Sequence, residues 1–128
     1  MQKIELNKVF IELLTPQLIL ISTKDNSVLE IEDLEEMKKT NLELTKGAKY
    51  GVISETGNYT SVSSEGRKHM TTKGIEKNKI AAAFIINSLS QRLLFNFFIR
   101  FNKPSVHTKS FSNMKHAREW IDFQLNLL

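Results

Sequence analysis

The side chains able to do covalent or metal chemistry in this chain are its histidines, serines and carboxylates, because its 128 residues include no cysteine. A nucleophile needs a base held by an orienting group. His69, His107 and His116 stand in no such spacing with a serine and a carboxylate, and no G-x-S-x-G elbow occurs. Nor do they form H-x-H or H-E-x-x-H, the spacings that put two imidazoles on one metal. The acidic residues gather between Glu30 and Glu43 among lysines, which suits the solvated face of a helix. Glycines at 47, 51, 57, 66 and 74 match neither the dinucleotide fingerprint nor a phosphate loop. The expectation is a protein with no catalytic residue, no metal and no cofactor, not an enzyme, that works by binding.

Two stretches carry the candidates for binding. Ser61-Val62-Ser63-Ser64-Glu65-Gly66 lies where an extended run gives way to a helix. In open parallel sheets ligands gather at the carboxyl ends of the strands, and a helix start there favours an anion. Ser63, Ser64 and Gly66 are therefore candidate phosphoacceptor or anion-site residues; the plainer use of such a serine is to cap the helix. The other stretch is the helix expected over 88–103. At 100° per residue Leu93, Leu94, Phe97, Phe98 and Phe101 share an arc of about 140°, a core face of ordinary width. Phe95 and Ile99 fall on a second face, next to a polar ridge that includes Arg92. Left open, Phe95, Ile99 and Arg92 have the composition of a partner surface; covered, they widen the core.

The surrounding pattern supplies the elements that must hold these stretches. Residues 3–14 and 17–23 read as a β-hairpin turned at Thr15-Pro16, and Leu18-Ile19-Leu20-Ile21 suits a strand covered on both faces. A helix follows over 31–46 with Gly47 as its stop, then a strand over 50–54. Extended structure resumes at 59–62, and a short helix starts at the serine pair. The apolar run 80–86 reads as a central strand. Ser88 and Gln91 form a capping-box pattern for the next helix, which Pro104 stops. A strand over 106–111 leads to a last helix capped by Ser112, with Met114, Ala117, Ile121, Leu125 and Leu128 as its apolar stripe beside Trp120. The order ββαβαβαβα implies one α/β domain over 1–128. Its mixed, mainly parallel, five-stranded sheet packs with about four helices, and the first strand runs antiparallel at an edge.

Composition agrees with a cytoplasmic protein: 41% hydrophobic and 25% charged residues, no cysteine, and no apolar run near the roughly 20 residues that span a bilayer. The net charge of +4 divides unevenly, with 7 Lys+Arg against 10 Asp+Glu in residues 1–64 and 11 against 4 in 65–128. The basic residues of the second half are dispersed over several elements, which suits a solvated face better than nucleic-acid recognition. The expected partner is another protein, a second copy of the chain included; weak membrane or lipid contact stays open through the Phe95 face.

In this order of elements, Ser63-Ser64-Glu65-Gly66 after the third strand resembles the STAS family, whose type members are bacterial anti-sigma-factor antagonists. The chain is more closely similar to the short bacterial SpoIIAA-like, or STAS/SEC14-like, proteins, and the likeness covers nearly its whole length by element order. The antagonists carry Asp-Ser-Ser-Gly at this point. Ser64 thus matches their phosphorylated serine and Gly66 their glycine, while Ser63 stands in place of the aspartate and Glu65 in place of the second serine. The resemblance implies a SpoIIAA-like fold and a non-enzymatic regulatory or protein-interaction module in signalling of the anti-sigma-factor-antagonist type. A phosphate on Ser64 would there add about two negative charges to a docking surface. Its SEC14 side implies an alternative, a lipid or other apolar ligand held under the third helix by Leu94, Phe97, Phe98 and Phe101.

Overall fold

The computed structural model describes residues 3–70, 78–102 and 106–127, with the side chains of Met70, Leu94, Phe97, Phe98, Phe101 and Asn102 outside the description. The opening apolar run is not one strand. Leu6 N–H donates to the Val9 carbonyl at 2.8 Å, and this turn folds β1 (Lys3–Glu5) back on β2 (Val9–Thr15). The chain turns again at Pro16 into β3 (Leu18–Thr23). With β5 (Tyr50–Glu55), β7 (Lys79–Ile85) and β8 (His107–Phe111), these strands form a six-stranded sheet in the order β1-β2-β3-β5-β7-β8. That is one strand more than expected, because the split at residues 6–8 creates a new edge. β1, β2 and β3 pair antiparallel, and β3 onward is parallel. The short strands β4 (Val28–Leu29) and β6 (Ser61–Val62) pair in parallel as a separate two-stranded sheet.

Among the described residues four helices complete this α/β fold: α1 (Ile31–Thr45), α2 (Ser64–Met70), α3 (Leu89–Asn102) and α4 (Met114–Asn126). Their ends follow local chemistry. Asp33 Oδ2 accepts from the Glu30 backbone N–H at 2.8 Å and from Lys8 Nζ at 2.6 Å, tying the start of α1 to the β1–β2 turn. Lys46 and Gly47, at φ 55° and 79°, end α1 in the left-handed region. Asn113, not Ser112, caps α4, accepting from His116 N–H at 2.9 Å. Ser112 is one residue too early for a helix whose first turn begins at Met114. Pro104 and Leu128 lie outside the described residues.

Side chains alternate across the strands, so each core strand feeds two layers. On one face Leu18, Ile53, Ala81, Ala83 and Ile85 pack with Ala117 and Ile121 of α4. Gly51 pairs with Ala81 and Ile53 with Ala83. Small residues at 51, 81 and 83 let α4 lie close: a Cβ at Gly51 would stand 2.5 Å from Ile121 Cγ2. On the other face Ile19, Ile21, Tyr50 and Val52 pack with Leu29 and Leu44, under α1. Here Val52 pairs with Ala82 and Ser54 with Phe84. The small side chains of Ala82 and Ser54 leave this second layer less filled than the first.

Candidate functional site

Ser63 and Gly66 are used by the fold. Ser63 N–H continues the β4–β6 pairing by donating to the Leu29 carbonyl at 2.9 Å, and Ser63 Oγ accepts from Gly66 N–H at 3.0 Å, which caps α2. Gly66 is buried, and a Cβ there would meet Val62 Cγ1 at 2.9 Å and Ser63 Oγ at 3.0 Å. Ser64, the first residue of α2, is exposed. α2 is held on α1 by His69 Nε2, 2.8 Å from Glu35 Oε1. Arg67 of the same helix donates through Nη1 to the Val62 carbonyl at 2.7 Å.

α3 is rotated from the expectation. Leu93, expected in the core, is 60% exposed, and Leu89 is 72% exposed. Phe95 and Ile99 are half-buried, and only Arg92 of that trio is exposed. The reason lies in Gln91. Its backbone N–H donates to Ser88 Oγ at 3.2 Å, its Oε1 accepts from Asn87 N–H at 2.8 Å, and its Nε2 donates to the Thr56 carbonyl at 2.9 Å. Pulling Gln91 toward the sheet brings Phe95, one turn on, inward. Its ring meets Phe84 at 5.4 Å between centroids. The side chains of Leu94, Phe97, Phe98 and Phe101 lie outside the described residues.

Phe95, Gln91 and Phe84 are walls of a cavity of about 160 Å³ between the sheet and α1, α2 and α3. Its floor is Ile21, Val52, Ser54 and Ala82; Leu34, Met37 and Asn41 of α1 face it, and half-exposed Lys38, Arg67 and Lys79 border it. Apolar atoms make up most of its wall, while Thr23, Ser54, Thr56, Thr60, Ser61 and Gln91 add polar groups. Asn41 differs from these. It is only 4% exposed, and its Oδ1 has no hydrogen-bond partner. Burying an amide oxygen unpaired costs about 1–3 kcal/mol, so Asn41 works against the stability of the domain. The expectation from sequence passed over Asn41, although Leu34, Met37, Asn41 and Leu44 are spaced i, i+3, i+7, i+10, one stripe of a helix. A polar residue inside an apolar stripe was the available sign.

The histidines make local contacts: besides His69 on Glu35, His107 Nδ1 lies 3.2 Å from Gln124 Oε1 and His116 Nδ1 3.2 Å from Asn113 Nδ2. Among the described residues no group of three His, Asp or Glu side chains could hold a metal ion, and no helix is long and apolar enough to cross a membrane.

The sequence matches the family described as Domain of unknown function (DUF7793) over residues 13–124. The chain belongs to that family. Comparison with curated proteins gives no match. Among solved structures, the chain is similar to an uncharacterized protein of the DUF3478 family from Shewanella loihica PV-4, which has a SpoIIAA-like fold. The TM-score is 0.55 and the identity 19%, over 88% of this chain and 91% of that one. The expected SpoIIAA-like fold is thus the fold of this DUF7793 domain.

Proposed function

We propose that the domain is a non-enzymatic regulatory module that binds a small apolar molecule in the cavity between the sheet and α1–α3. The observation that carries this reading is the cavity itself, about 160 Å³ with a wall made mostly of apolar atoms, from Ile21, Val52, Ala82, Phe84 and Phe95 among others. Apolar-walled cavities of about 150 Å³ accept a benzene-sized molecule, whereas drug-sized ligands need at least about 300 Å³. The volume of about 160 Å³ therefore favours a compact ligand over a lipid chain. Thermal unfolding with and without toluene tests the reading. Toluene is expected to raise the Tm of the wild type and to leave Ala82→Leu, whose side chain fills the cavity floor, unchanged. Equal shifts in both, or none in the wild type, contradict it.

A second reading, a protein-binding module switched at Ser64, draws on one observation. Ser63 and Gly66 are occupied structurally while Ser64 stays exposed at the position that matches the phosphoserine of the STAS antagonists. It expects Ser64→Asp, but not Ser64→Ala, to lose a cellular partner in pull-downs from the native cell; equal capture by both variants removes it.

A further inference from the structure

The hydroxyls and amides of the cavity wall can each donate and accept, so they do not decide the sign of what binds. The charged residues do. Lys38 of α1, Arg67 of α2 and Lys79 at the start of β7 line the cavity, and none of its described lining residues is Asp or Glu. All three are half-buried, the exposure of a long cation whose stem lies along apolar wall while its charge stays at the water. Arg67 is fixed there through Nη1, which donates to the Val62 carbonyl at 2.7 Å. That partner is neutral, and among the described residues no carboxylate pairs with Arg67. Glu35, outside the lining, lies 3.8 Å from Lys38 but 2.8 Å from His69, in the contact that holds α2 on α1. The rim where these two helices meet therefore carries an excess of positive charge above an apolar floor.

We propose that the ligand of this cavity is a compact apolar acid, a ring or short branched chain bearing one carboxylate, bound as its anion with the carboxylate at Arg67 and Lys38. The proposal rests on the reading that the cavity binds an apolar molecule, and it adds the charge that selects among such molecules. Volume sets the arrangement. About 160 Å³ takes a body the size of benzene and little more, so the body lies on Ile21, Val52, Ala82 and Phe95 and the ionised group is left at the rim with the cations. There the guanidinium of Arg67 presents a planar fork that matches a carboxylate, and Lys38 adds a point charge. A carboxylate at a half-exposed rim keeps part of its hydration, so it escapes most of the desolvation that makes a fully buried ion pair costly. An amine of the same size would meet three like charges.

Benzoate and its uncharged isostere benzamide are the probes, in nitrogen-15 NMR titrations that read affinity from the amides of Val52, Ala82, Phe84 and Phe95. In the wild type the affinity for benzoate is expected to fall as salt is raised while that for benzamide holds. Arg67→Gln and Lys38→Gln are each expected to lower the benzoate-to-benzamide affinity ratio about three- to fivefold, the upper range for an ion pair that keeps water contact. Comparing ratios between variants cancels the different hydration of the two probes. Should Arg67→Gln not fold, Lys38→Gln and the salt series on the wild type decide the same question. A ratio that neither substitution nor salt changes overturns the acid assignment and leaves the cavity reading standing, as do benzoate shifts confined to amides away from the cavity while benzamide or toluene shifts those that line it. No shift at the cavity amides with benzoate, benzamide or toluene overturns both.

Discussion

Gln91 of α3 reaches across to the backbone carbonyl of Thr56, 2.9 Å away, in the loop that follows β5. This one amide couples the cap of α3 to the carboxyl end of the sheet and turns Phe95 onto Phe84 as a cavity wall. Gln91→Ala removes that bond and its bond to Asn87 together. The expected loss is about 1–2 kcal/mol in urea unfolding, with weaker toluene binding, whereas Arg92→Ala on the exposed side is expected to change neither by more than about 0.5 kcal/mol.

Gly51 faces Ile121 with no room for a side chain. Gly51→Ala is expected to destabilise by about 1–3 kcal/mol through overpacking. Ile121→Ala, a cavity-forming change of about 2–5 kcal/mol alone, removes the side chain that the new methyl meets. The double variant is therefore expected to be more stable than the sum of the single losses, and strict additivity would show that the helix-to-sheet contact does not determine the glycine.

Asp33 governs acid stability at the start of α1. Desolvation pushes its carboxyl up, but the hydrogen bond from Lys8, the Glu30 amide and the Lys8 charge outweigh it, so the group is held below its ordinary value. A depressed folded pKa contributes stability that is fully present above the unfolded value of about 3.9 and is lost as pH falls through the lower folded value. Both side chains keep some solvent contact, so the contribution is at most about 1 kcal/mol. The stability difference between wild type and Asp33→Asn is expected to be constant from about pH 5 upward and to shrink below about pH 4, measured by urea unfolding across that range.

Much of this architecture is legible in the sequence because burial on both faces of a strand leaves an unbroken apolar run. Leu18-Ile19-Leu20-Ile21 and the run from Ile80 to Ile86 both lie in the parallel part of the sheet. The split between β1 and β2 had a local sign that was passed over: Asn7-Lys8 breaks the apolar and polar alternation, and the turn there is closed by the Leu6 N–H on the Val9 carbonyl, three residues on. The face of α3 is ambiguous for a different reason. With apolar residues at 89, 93, 94, 95, 97, 98, 99 and 101, its wheel has no single polar arc, and what sets its rotation is a bond to Thr56, distant in sequence. Ser63 follows from the local rule of helix capping, and the structure uses it in that way, whereas what demands a glycine at 66 is packing against Val62, which no local rule shows. Asn41 required reading the stripe by spacing rather than by apolar residues alone.

The most direct test of the cavity as the binding element is a nitrogen-15 NMR titration of the wild-type protein with toluene. Binding in the cavity predicts saturable shifts concentrated at the amides of Val52, Ala82, Phe84 and Phe95, which line it, with little change at Ala117 and Ile121 on the opposite face of the sheet. Shifts centred on α4, or none up to the solubility of toluene, would contradict the account.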